Sequence, residues 1–247
     1  ANTVRKIVAL SGVGTGDHVV EVGPGLGSLT LGLLVTGASV TAIEIDDRLA
    51  RATTDIVASR LPEASLEVRC LDALAATELP ADAEFLVANL PYNVAVPVVV
   101  HLLTLHPAFR RVLVMVQAEV GWRIAATPGT EHYGAPSVKA AWWGTWSVES
   151  GISRNVFWPQ PRVDSVLVGM HATPPPGDDS LRESVFRLID AGFATRRKMS
   201  RQALSGVCGG VDAASRAIDA AHLDPTSRCE TWSLADFVAL ERVLGDP

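Results

Sequence analysis

Apolar residues in the first two thirds of the chain fall into short runs bounded by turn residues, and amphipathic stretches lie between the runs. Residues 18–22, 39–45, 65–70, 85–88 and 111–117 read as strands, and the unbroken apolar run at 85–88 reads as a buried parallel one, because parallel strands covered on both faces show continuous rather than alternating hydrophobicity. Helical spacing of apolar positions marks 2–10, a stretch ending at Leu34, 47–60, 94–105 and 119–126. Residues 163–170 alternate as an antiparallel strand would. Strands that alternate with helices predict an α/β fold with a mostly parallel sheet, here closed by an antiparallel C-terminal hairpin. The pattern changes after Pro174-Pro175-Pro176-Gly177-Asp178-Asp179, beyond which 181–193, 196–205, 212–221 and 233–243 all read as helices. The expected organisation is an α/β domain over 1–173, a linker at 174–179 and a small all-α domain over 180–247.

Composition supports a globular protein: 48% of the 247 residues are hydrophobic and 19% are charged. The longest apolar region, 86–105, is interrupted by Asn89, Pro91, Asn93, Pro97 and His101, which excludes a membrane span. No basic and apolar leader opens the chain, and Cys70, Cys208 and Cys229 lack metal-ligand spacing, so a cytoplasmic, metal-free protein is expected. The net charge of −6 argues mildly against a nucleic-acid partner. Its distribution softens that: the whole excess lies in the first 179 residues, with 12 basic against 18 acidic, while the remainder balances at nine of each. Arg196, Arg197, Lys198 and Arg201 form a basic cluster with no acidic residue between Ala191 and Gly210. Such a cluster is either a solvated helix face or a phosphate-binding patch.

The candidate chemistry sits at the ends of successive strands. Gly23-Pro24-Gly25-Leu26-Gly27 follows the first and lets backbone pass close to a ligand; a tight strand-to-helix turn would look the same. The second ends in Glu44-Ile45-Asp46, where an acidic side chain accepts both hydroxyls of a ribose or serves as a helix acid. Asp72, before Ala73, is an acceptor for an adenine amino group or a helix cap. The fourth strand closes on Asn89-Leu90-Pro91-Tyr92. Here an amide oxygen and a neighbouring carbonyl accept the two hydrogens of an exocyclic amine, Pro91 fixes the chain direction, and Tyr92 offers a stacking face. Phe157 is either a second stacking face or a filler beneath its loop. Four such ends in succession are much harder to attribute to chance than one.

With these residues in place, the sequence resembles the ribosomal RNA adenine dimethyltransferase family, and most closely the branch acting on small-subunit ribosomal RNA. The markers are Glu21-Val-Gly-Pro-Gly-Leu-Gly27, Glu44-Ile-Asp46, Leu71-Asp-Ala73, Asn89-Leu-Pro-Tyr92, Phe157-Trp-Pro-Gln-Pro-Arg-Val-Asp-Ser165 and Arg196-Arg-Lys198. The resemblance implies a Rossmann-like class I methyltransferase sheet and S-adenosylmethionine as cofactor. It places the methionine part at Gly23 and Gly25, the ribose at Glu44 and Ile45, and the adenine at Asp72 and Ala73. Asn89, also beside the cofactor, would meet the target amine together with Leu90 and Pro91, with Tyr92 and Phe157 flanking the target base. Arg196, Arg197, Lys198 and Arg201 would contact RNA. The implied partner is small-subunit RNA within an immature small ribosomal subunit, bound by a monomer. The implied reaction is dimethylation at N6 of two adjacent adenosines near the 3′ end of that RNA. Two departures stand out. The family carries a glycine-glutamine-asparagine-phenylalanine type segment before the first helix, and this chain begins just after that point, so a preceding segment is expected. Met199-Ser200-Arg201-Gln202 also replaces the family's threonine, hydrophobic residue, arginine and asparagine after the basic motif. Rival readings are an adenine methyltransferase acting on large-subunit RNA or DNA, and a non-catalytic small-subunit assembly factor. A nicotinamide-dependent oxidoreductase is disfavoured because no catalytic proton donor accompanies the glycine loop.

Overall fold

The computed structural model describes residues 2–90, 94–157 and 160–245. Packing divides the chain into two compact units. The first runs to Trp122 and resumes over Thr145–Ala172, and the second comprises Arg123–Gly144 and the chain from Thr173 onward.

In the first unit, α1 (Asn2–Ser11) precedes β1 (His18–Val22), α2 (Ser28–Leu34), β2 (Ser39–Glu44), α3 (Asp47–Arg60) and β3 (Leu66–Cys70). After a 3₁₀ turn at Ala73–Ala75 come β4 (Phe85–Asn89), α4 (Ala95–Leu105), β5 (Arg111–Gln117) and α5 (Ala118–Ile124). Helix α6 (Ala135–Ala140) belongs to the second unit, after which β6 (Gly144–Ile152) and β7 (Ser165–Ala172) complete the sheet. The strand order is β3-β2-β1-β4-β5-β7-β6. Strands β1 to β5 run parallel and β7 is antiparallel to β5, which is the mixed sheet expected.

Burial explains the continuous apolar runs. Val19 and Val20 of β1 and Val112, Leu113 and Val114 of β5 have no exposed surface, as interior parallel strands require. The alternation read in 163–170 does not survive. β7 begins at Ser165 and is buried through Met170, because it lies between β5 and β6 and is covered on both faces. His101 and His106 have structural roles, each ring Nε2 bonding a backbone carbonyl, of Ala76 at 2.9 Å and Ala83 at 2.7 Å. At the N-terminal end of β5, buried Arg111 donates to the Leu10 carbonyl at 3.1 Å, to Glu149 Oε1 at 3.2 Å and to His171 Nε2 at 2.7 Å. A guanidinium cannot accept, so Nε2 of His171 is the unprotonated nitrogen.

Close packing of α5 on the sheet depends on the absence of a side chain at Gly121. A Cβ there would lie 2.2 Å from Val166 Cγ2 and 3.3 Å from Val116 Cγ2. Gly121→Ala should therefore destabilise the protein by about 1–3 kcal/mol despite alanine's better helix propensity. A lower urea midpoint at unchanged slope would be the readout.

The second unit is helical. It contains α6, α7 (Asp179–Ala194), α8 (Ser200–Ala203), α9 (Ser205–Cys208), α10 (Val211–Ala220) and α11 (Leu234–Gly245). Trp142 and Trp143 are buried and meet Phe186 edge-on, so they serve the core of this unit. The buried Tyr133 hydroxyl donates to the Trp232 carbonyl at 2.7 Å. The continuous helix expected over 196–205 is broken. The Lys198 N–H closes a turn on Thr195 O, and the Ser200 N–H is drawn out to Ser227 O at 2.7 Å, so helix resumes only at Ser200. Asp178 caps α7 by accepting the Leu181 N–H, which makes the end of the proline-rich stretch a helix start.

Candidate active site

The four strand ends singled out from sequence lie on one edge of the sheet, because β1, β2, β3 and β4 are mutually parallel. Strand order sets their spatial succession: Asp72 beyond β3, Glu44 at β2, Gly23 beyond β1, then Asn89 at β4. At the usual interstrand spacing this row is roughly 14 Å long. The chain passes from β1 to β2 on one side and returns with β4 on the other, so Gly23 and Asn89 flank the point where the winding reverses. Open α/β sheets bind ligands at such a point.

The glycine loop is built for close approach. Gly23 has φ +69° and its N–H donates to Ile43 O at 2.9 Å; a Cβ on it would lie 3.7 Å from the Asn89 carbonyl oxygen. Gly25 has φ +59°, and nothing lies within 4 Å of where its Cβ would be. The carbonyl of Gly25 is held by the Thr53 hydroxyl at 2.6 Å.

Glu44 is buried, and its carboxylate braces the loop. Oε2 accepts the Gly25 N–H at 3.2 Å and Oε1 accepts the Asp46 N–H at 3.1 Å. Each oxygen keeps a second lone pair for a ligand hydroxyl. The helix-acid alternative for Glu44 falls away, since Asp46 caps α3 through the Arg48 N–H at 2.9 Å. Hydrogen bonds from Arg48 hold the Asp46 carboxyl down at about 2. Ile45 beside them is 69% exposed, an apolar side chain at the carboxyl end of β2. Asp72 is exposed and caps the 3₁₀ turn by accepting the Leu74 N–H at 2.9 Å, with Ala73 buried behind it.

Asn89 is exposed at the end of a strand whose preceding four residues are buried. Its register partner is Met115, whose carbonyl receives the Leu90 N–H at 3.1 Å; the Leu90 side chain is buried. Pro91 and Tyr92 lie outside the described residues. Phe157 is half-buried and packs against the hydrophobic core, following a 3₁₀ turn that the Arg154 N–H ties to Asp164 Oδ1 at 2.9 Å.

One residue of the marker motifs gains weight from its surroundings. Glu21 is 1% exposed beneath the glycine loop, its Oε2 accepting the Thr30 hydroxyl at 2.7 Å. Burial, offset partly by Thr30 and reinforced by the Glu44 charge, pushes its carboxyl up to about 8. Nothing in a five-residue apolar strand distinguishes such an acid from a surface one.

In the second unit, Arg196 is committed to Glu230 Oε2 at 2.7 Å and Arg201 is half-buried. Arg197 and Lys198 are exposed on the turn.

The glycine cradle at the reversal point, a carboxylate pair of lone pairs beside it and an exposed apolar residue next to that fit an adenosyl group with an attached amino-acid tail. The comparisons point the same way. Residues 1–243 match the family model described as ribosomal RNA adenine dimethylase. The protein named ribosomal RNA small subunit methyltransferase A from Leifsonia xyli is 58% identical, the match covering 97% of this chain and 87% of that one. Its namesake from Thermobifida fusca is 52% identical, over 96% and 84%. A dimethyladenosine transferase from Plasmodium falciparum shares the fold, with TM-score 0.80 at 22% identity over 97% of this chain and 94% of that one. So does the 23S rRNA methyltransferase ErmE, at 0.74 and 22% over 98% and 97%. With a match along almost its whole length and relatives above half identity, the chain belongs to the ribosomal RNA adenine dimethylase family, whose S-adenosylmethionine-dependent methyltransferase fold it has.

Proposed function

We propose that this protein transfers methyl groups from S-adenosylmethionine to N6 of two adjacent adenosines near the 3′ end of small-subunit ribosomal RNA, dimethylating each. The observation that carries the reading is the order of Asp72, Glu44, Gly23 and Asn89 along one sheet edge, which suits an adenosyl-methionine lying lengthwise with its reactive end at Asn89. Relatives named for the small subunit, at 58% and 52% identity, favour that RNA over the large-subunit one.

In this reading Asp72 and Ala73 hold the adenine, with Ile45 against its face. Glu44 accepts the ribose hydroxyls, and Gly23 and Gly25 admit the methionine portion. The cofactor, when bound, supplies an electrophilic methyl on a sulfonium. Asn89 Oδ1 and a carbonyl of Leu90 or Pro91 accept the two hydrogens of the target amine. That orients a nitrogen whose lone pair is otherwise shared with the ring. Such positioning of reactants is worth up to about 7–11 kcal/mol and needs no covalent intermediate. Once the carbon–nitrogen bond forms, the nitrogen gives a proton to water. Tyr92 and Phe157 stack on the extruded base, each contact offsetting unstacking by roughly 1–3 kcal/mol. The helical domain, led by Arg197 and Lys198 with Arg196 and Arg201 beside them, meets RNA phosphates. The protein acts as a cytoplasmic monomer on an immature subunit. Among the described residues no helix is long and apolar enough to cross a membrane.

Purified protein, unmethylated small-subunit particles and methyl-labelled cofactor test this. Label recovered as N6,N6-dimethyladenosine is expected. Persistent particle binding with no label transferred would instead identify a non-catalytic assembly factor. Gly23→Ala should raise the cofactor Kd at least about tenfold, or 1.4 kcal/mol, by straining a left-handed backbone. Equilibrium dialysis with labelled cofactor measures it.

A further inference from the structure

We propose that Glu21 is a proton-linked counter-ion of the cofactor site, holding its proton in the free protein and releasing it to solvent when the cationic cofactor occupies the glycine loop. The inference rests on the proposed cofactor reading and adds a charge-coupling role to it.

The groups around Glu21 define the argument. Within the sheet it pairs with Ala42 of β2 and directly follows Val20, which pairs with Leu86 of β4. Helix α2 contributes the Thr30 hydroxyl, and the charge from β2 that reaches it is the carboxylate of Glu44. Among the described residues no lysine, arginine or histidine pairs with it. A buried carboxylate with one anionic neighbour and no cation is strongly disfavoured, so the free protein keeps the neutral acid.

Gly23 and Gly25 lie two and four residues further along the same chain, where the methionine portion of the cofactor is placed. S-adenosylmethionine brings an ammonium, a sulfonium and one carboxylate, a net positive charge. That charge favours the ionised carboxyl, and the proton passes to water. S-adenosylhomocysteine lacks the sulfonium charge, so after methyl transfer the carboxyl recovers its proton and the product is held less strongly. A purely structural Glu21, bonded to Thr30 for packing alone, would exchange no proton with either ligand.

Calorimetric titration of the full chain with each ligand at pH 7, in buffers of different ionisation enthalpy, counts the protons exchanged. The expected result is release approaching about one proton per S-adenosylmethionine, clearly less with S-adenosylhomocysteine, and none in Glu21→Gln. Thr30→Val removes a donor to the ionised form and should move the pH midpoint of release upward, a readout that survives if Glu21→Gln folds poorly. Binding without proton release in the unmodified protein, or equal release in Glu21→Gln, overturns the proposal and leaves the cofactor assignment standing. No binding of either ligand overturns both.

Discussion

Asn89→Ala is expected to lower methyl transfer at least about 100-fold while changing cofactor affinity by no more than a few-fold. Losing one pre-positioned polar group at a reacting centre has that order of effect. The side chain is well suited to such a separation. It is exposed at the strand end and, among the described residues, bonds to nothing that holds the fold. The strand keeps its place through the Leu90 N–H bond to Met115 O and through the buried residues Phe85 to Ala88, neither of which the substitution touches. The glycine loop approaches the backbone oxygen of Asn89, which alanine retains. Single-turnover transfer and cofactor dialysis, run on the same preparation, separate the two effects. A large loss of cofactor binding with a proportionate loss of transfer would assign Asn89 to the cofactor instead of the target amine.

The free protein should lose stability as pH rises from 5 to 8, and Glu21→Gln should remove most of that loss. Glu21 has its carboxyl pushed from 4.5 up to about 8 in the folded protein, mainly by burial. Between those values the folded chain holds a proton that the unfolded chain has released. Stability therefore carries no penalty from this group below 4.5, falls with rising pH, and bears the full penalty above 8. At about 1.4 kcal/mol per unit, the whole effect is roughly 3–5 kcal/mol. The glutamine variant, able to accept the same Thr30 bond, should be more stable than the parent at pH 8 and nearly equal to it at pH 4.5. Urea unfolding across this range is the check, and parallel pH profiles for the two proteins would contradict it.

The sequence was most legible where local physics decides the outcome. β1 occupies 18–22 and β5 occupies 111–117 as read, because a buried parallel strand writes itself as an unbroken apolar run. Alternation misled at β7, which looks half-exposed in sequence but is enclosed by neighbours on both sides. The basic stretch reads through as helix because nothing nearby in sequence breaks it. The break is made by Ser227, distant in sequence, which takes the Ser200 N–H. Segment 123–144 packs with the C-terminal helices although it lies well before the proline-rich stretch, a tertiary preference that no local signal carries. The candidate site was legible as a set of residues but not as a row. Sequence gives the strand ends as Gly23, Glu44, Asp72 and Asn89, whereas placing β4 on the other side of β1 brings Asn89 to Gly23 and sends Asp72 to the far end. Glu21 is set apart from a surface acid only by its burial and its Thr30 bond.

The central claim is that the methyl donor lies along this sheet edge with its reactive end facing Asn89, and a crystal structure of the complex with S-adenosylhomocysteine tests it most directly. The account predicts ribose hydroxyls on the Glu44 carboxylate, the adenine beside Ile45 and Asp72, and the sulfur between Gly23 and Asn89. A ligand bound elsewhere, or bound in reverse with its adenine at Asn89, would contradict it.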